Sequence, residues 1–149
     1  MNVTSVIIGG DGEPQEPDWK LIYQNEDDLE LAHLHWGNII REMRECQTLS
    51  VANGHAIRRL TDFRIAYERA SRAVAEQGPL IASKKKTNGG ARAGQWNPWW
   101  SVLRHAEETI RHLETELGIS PLRRGRAGKV QKRSKQERAS DTYLKKKAV

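Results

Sequence analysis

Cysteine is almost missing: Cys46 is the only one in 149 residues. An internal disulfide and a cysteine-based zinc site are thereby excluded, and a reducing compartment is expected. Long apolar runs are missing too. Nothing approaches the roughly 18 consecutive apolar residues that a spanning helix needs, and the mean hydropathy of −0.76 agrees. Residues Val3 to Ile8 have no basic flank and are too short for a secretory signal.

Catalytic patterns are equally scarce. Gly89 and Gly94 have the glycine spacing of a phosphate loop, but Gln95 and Trp96 stand where that motif needs Lys and then Ser or Thr. Gly128-Lys129 is followed by Val130 and lacks the upstream glycine. His33 and His35 are two apart on a helix and point about 200° from one another, so they cannot share a metal. His105 and His112 share a face but lie roughly 10 Å apart along it. No nucleophile stands at motif spacing from a base. The expectation is a non-enzyme with no metal and no cofactor.

What the chain does have is charge, unevenly placed. Residues 1–48 carry 10 acidic and 3 basic side chains, whereas residues 119–149 carry 11 basic and 2 acidic ones. Residues 82–95 add four cations and no acid. The whole reaches +6 with a pI near 9.7. An acidic front and a basic end point to a polyanion partner at the C-terminal side. The cations are Lys84, Lys85, Lys86 and Arg92, then Arg123, Arg124, Arg126, Lys129, Lys132, Arg133 and Lys135. Lysine and arginine at this density neutralise phosphates whatever the base sequence, so they are the candidate DNA contacts.

Periodicity predicts an all-α fold. Leu29, Ala32, Trp36, Ile39, Ile40, Met43 and Cys46 recur at three- and four-residue steps and predict a helix near 27–48. Ala56, Leu60, Phe63, Tyr67, Ala70 and Val74 predict a second near 53–77, capped by Ser50 or Asn53 and stopped by Gly78-Pro79. Asn97-Pro98 opens a third near 98–117, with Trp99, Leu103, Ala106, Ile110, Leu113 and Leu117 as its stripe and Gly118 and Pro121 as its end. The first two should form a long antiparallel pair. Between the second and third, Leu80 to Trp96 reads as a basic loop or hairpin around Asn88-Gly89-Gly90. Residues 1–25 read as an acidic flexible arm whose Trp19, Leu21, Ile22 and Tyr23 can dock on something. Residues 26–120 read as the helical oligomerisation core, and residues 121–149 as a basic flexible tail.

Three helices make a small core, and small cores gain stability by association. Five tryptophans exceed its obvious needs. Trp96, Trp99 and Trp100 cannot all face one way, and with Trp36 they are the candidate subunit interface.

The third helix and its flanks resemble the phage terminase small subunits. Asn97-Pro98-Trp99, the helix end Leu113-x-x-x-Leu117-Gly118-Ile119-Ser120-Pro121 and the following Arg123-Arg124-x-Arg126 look like the C-terminal half of those proteins. The group in question is that of the cohesive-end phages of the Hong Kong type. Tyr67 and Ala70 before Gly78-Pro79-Leu80-Ile81 suit the same pattern, and the resemblance spans about residues 30–128. It implies a helical protein that forms a homo-oligomeric ring and binds the packaging-start region of double-stranded viral DNA. It also implies recruitment and regulation of the large terminase subunit, to which ATPase and nuclease activity belong. The implied location is the host cytoplasm, away from membranes and outside the mature virion. The longer, triply lysine-bearing loop and the acidic arm depart from the pattern. Two other readings of the residues remain open. One is a helical transcriptional regulator using the first two helices and the Thr48–Gly54 connection as a helix-turn-helix. The other is a protein-only adaptor whose basic tail binds an acidic partner.

Overall fold

The computed structural model describes residues 12–86 and 92–121, the side chains of 83–86 and 92–93 excepted. Three helices dominate it: α1 (Glu26–Glu45), α2 (Gly54–Gln77) and α3 (Pro98–Glu116). Strands β1 (Leu80–Lys86) and β2 (Arg92–Trp96) form an antiparallel hairpin between α2 and α3. The helix boundaries fall within a few residues of those predicted, and the basic hairpin is present.

Each helix starts and stops for local reasons. Asn25 caps α1 by accepting from the Asp27 amide, and Glu26, Asp27 and Asp28 fill its first turn, where carboxylates suit the helix dipole. Its end is less orthodox. Gln47 takes a left-handed φ of 58°, the Gln47 amide donates to Arg44 and the Thr48 amide to Met43. That is a Schellman end built on glutamine rather than glycine. Ser50 caps a short 3-10 turn, Val51–Asn53, and α2 follows directly. Asn53 makes no cap bond to α2; its amide donates to the Thr48 carbonyl instead.

α2 is the central helix and packs on both others. It therefore buries a wider arc than the single stripe predicted: Ile57, Thr61 and Ile65 join Ala56, Leu60 and Ala70 in the core. The Thr61 hydroxyl is satisfied within the helix by the Ile57 carbonyl. Asp28 near the start of α1 pairs with Arg69 in the C-terminal half of α2. The two helices thus lie along one another instead of diverging from a tight turn, which disfavours the helix-turn-helix reading.

Two expectations need correction. Residues 12–25 are not a loose arm. Trp19 is 1% exposed and sits against Tyr23 and Trp36. Glu16 accepts from the Trp19 indole and bonds His33, and Glu13 pairs with Arg44, so the segment is strapped across α1. Pro14 comes so close to Gly54 that a side-chain carbon there would meet it at 3.2 Å. Residues 1–11 lie outside the described residues. The second correction is Trp36: at 5% exposed and edge-on to Trp19, it belongs to this chain's own core and is not a surface anchor.

Candidate functional site

Asn97 builds the junction from which the basic hairpin projects. It is fully buried. Its side-chain oxygen Oδ1 caps α3 by accepting from the Trp99 amide at 3.0 Å, with Pro98 pre-set for the first turn. Its side-chain amide donates to the Gly78 carbonyl at 2.9 Å and to Gln77 at 3.3 Å, and its backbone amide donates to the Pro79 carbonyl. Gly78 reaches this position at φ 81°, a conformation that glycine adopts without strain. One residue thus ties the end of α2, the base of the hairpin and the start of α3.

On that base, Leu80 pairs with Trp96, Ile81 with Gln95 and Ala82 with Gly94, and the register shifts before Lys86 meets Arg92. The four cations Lys84, Lys85, Lys86 and Arg92 therefore share one two-stranded element. At the hairpin base, Trp96 stacks on Trp100 with centroids 6.3 Å apart and planes 19° apart. Trp96 stays 64% exposed and Trp99 40%.

The other basic set is rooted at the far end of α3. Gly118, at φ 72°, turns the chain, the Ile119 amide returns to the Glu114 carbonyl, and the Ile119 side chain is buried. Residues after Pro121 leave from this fixed point. Arg123, Arg124, Arg126, Lys129, Lys132, Arg133 and Lys135 lie outside the described residues. With 19 residues in α3, hairpin and tail root stand roughly 28 Å apart along the helix. The described residues thus set the hairpin base and the root of the tail at opposite ends of α3.

Sequence reasoning missed the polar lattice between the helices. Buried Asp28 is gripped by the Arg69 guanidinium through both oxygens, and Arg69 lies over the Tyr23 ring at 5.8 Å. The Tyr23 hydroxyl donates to Asp62 at 2.5 Å. Burial, and then that bond to a carboxylate, push its pKa far above the ordinary phenol value. A groove of about 320 Å³ opens among His35, Arg64, Tyr67, Glu68, Glu107 and Ile110. His35 bonds Glu68 at 2.8 Å and Arg64 pairs with Glu114 at 2.9 Å. Burial lowers the His35 pKa despite the opposing pull of Glu68. The His35–Glu68 and Asp28–Arg69 pairs join α1 to α2, and Arg64–Glu114 joins α2 to α3, so the lattice positions helices. Among the described residues, no three His, Cys, Asp or Glu side chains converge to hold a metal ion. No described helix is long and apolar enough to cross a membrane.

A family model described as phage terminase, small subunit, matches residues 32–134. The chain belongs to the phage terminase small-subunit family. The matched span runs from α1 through the hairpin and α3 into the basic segment, as far as Ser134. It leaves out Trp19, which the structure nevertheless places in the core. No curated protein and no solved structure matches the chain. Membership gives this terminase small subunit a role in phage DNA packaging, in a family that is generally non-catalytic.

Proposed function

We propose that this terminase small subunit binds the packaging-start region of double-stranded phage DNA as a homo-oligomeric ring. In the same reading it recruits and regulates the large terminase subunit, which supplies ATP hydrolysis and DNA cleavage, in the host cytoplasm and not in the finished virion. The family match over 32–134 carries this reading. It is supported by two basic segments in the sequence, one on the hairpin that precedes α3 and one that follows α3, cations suited to phosphate contacts. Arg123, Arg124, Arg126, Lys129, Lys132, Arg133 and Lys135 are assigned the main phosphate contacts, with Lys84, Lys85, Lys86 and Arg92 second. Trp96, Trp99 and Trp100 are assigned to the subunit interface; Trp36 is withdrawn from it. In a ring, several copies of a weak contact act together, so modest affinity per chain becomes substantial avidity.

Native mass spectrometry at micromolar protomer, followed by pull-down of the cognate large subunit, tests this. A single closed oligomer that captures the large subunit is expected. A monomer, or a dimer confined to a palindromic site, would overturn it and favour a regulator.

A further inference from the structure

Two segments of opposite sequence charge, on different elements, expose large apolar side chains. The first is the hairpin–α3 junction. Residues 78–106 contain five Lys or Arg and no Asp or Glu. At their centre the stacked Trp96 and Trp100 stand beside Trp99 and Leu80, the last 57% exposed. Arg104 has no ion pair among the described residues. The second is the acidic N-terminal side. Residues 12–45 carry nine carboxylates against three cations. Leu21, Ile22 and Leu34 are exposed there, at 85%, 37% and 56%. Leu34 lies about 200° round α1 from both Ala32 and Trp36, hence on the helix face away from the core. Glu26, Asp27 and Glu30 pair with no cation among the described residues.

Both surfaces expose large apolar side chains on segments whose sequence charge is opposite, with Arg104 on one and Glu26, Asp27 and Glu30 on the other free of ion pairs among the described residues. Exposed tryptophans flanked by polar groups are the usual anchors of protein interfaces. Charge of one sign around such anchors selects a partner of the other sign and fixes its orientation. We propose that the Trp96–Trp100 junction of one subunit docks on the outer face of α1, around Leu34, of a second copy. The proposal rests on the ring reading above and names its contact. Because donor and acceptor are different surfaces, the contact is heterologous, and repetition carries it round a ring instead of stopping at two.

Cross-linking distinguishes this from other occupants. In a Cys46→Ser background, Ser101→Cys and Gly37→Cys chains, exposed neighbours of Trp100 and Leu34 that leave those anchors in place, are co-expressed and treated with a short bismaleimide. The expected result is a covalent dimer from the mixture, none from either single variant, and a ladder of higher species from the double variant. Separately, Trp96→Ala/Trp100→Ala should weaken assembly at least roughly 30-fold, as for paired interface hot spots, and added salt should weaken the wild type. Dimers from the Ser101→Cys chain alone would show a two-fold contact and overturn the proposal. So would an assembly in the Ala/Ala variant that is intact but has lost the large subunit, which would give the patch to that partner. If the wild type is a ring by native mass and no mixed product forms, the contact is wrong while the ring stands. If the wild type is a monomer, both fail.

Discussion

Replacing Asn97 with alanine removes the side chain that ties three elements at the hairpin base. Losing the cap to the Trp99 amide costs about 1 kcal/mol, the typical value for an Asn cap. The Gly78 carbonyl then loses a donor at 2.9 Å from a fully buried side chain. An unmade bond at such a site adds about 1–3 kcal/mol. The sum, about 2–4 kcal/mol, is a large part of the 5–15 kcal/mol that holds typical domains. Urea unfolding followed by tryptophan fluorescence, at matched protomer concentration, should show the midpoint falling with the slope unchanged. Asn97→Asp separates the two contributions, because it keeps the cap acceptor and loses the donor. It should recover no more than the cap's share. A loss below about 1 kcal/mol for Asn97→Ala would refute the reasoning, since the cap alone is worth that much.

Trp19→Ala should destabilise the fold by about 3–5 kcal/mol in the same assay, as for a core aromatic; a change within about 0.5 kcal/mol would mean that residues 12–25 are not packed in solution. Gln47→Gly should stabilise by about 0.5–1 kcal/mol, because left-handed φ strains a side-chain-bearing residue more than glycine loses in the unfolded chain; a lower midpoint would contradict the Schellman end. His35 has its pKa lowered on folding, so below the free value near 6.5 the unfolded chain binds more protons and stability falls as pH drops. Wild type should therefore lose more stability between pH 7.5 and 5.5 than His35→Gln does, and equal losses would show that His35 is not held neutral by the fold.

Much of the helical frame was legible because its punctuation is local. Asn97-Pro98, Gly118 with Pro121, and Gly78-Pro79 each fix a boundary through the chemistry of one or two residues. What escaped depends on contacts distant in sequence. Trp19 lies in a segment without helical period, and its burial is set by Trp36 and by a strap from Glu16 to His33. Ile57, Thr61 and Ile65 lie outside the single stripe that periodicity gives, because the helix is covered from two sides. The Asp28–Arg69 pair joins residues 41 apart, with no local trace. Gln47 shows that a left-handed helix end need not announce itself with glycine. For the proposed DNA contacts, composition picked out the cations, and the fold supplied what composition lacks: the hairpin and the tail root occupy opposite ends of α3. Likewise, tryptophan content suggested an interface, but only packing separates buried Trp36 from exposed Trp96.

The basic tail as the principal DNA contact is best examined by duplex binding of the full chain and of a chain ending at Ser120, at two salt concentrations. If about 6–10 phosphates are neutralised, the full chain should lose roughly 10³–10⁵ in affinity between about 50 and 200 mM salt. The truncated chain should form the same oligomer, bind far more weakly and show a shallower salt slope. A truncated chain that keeps both full affinity and the full slope would contradict the assignment of DNA binding to residues 121–149.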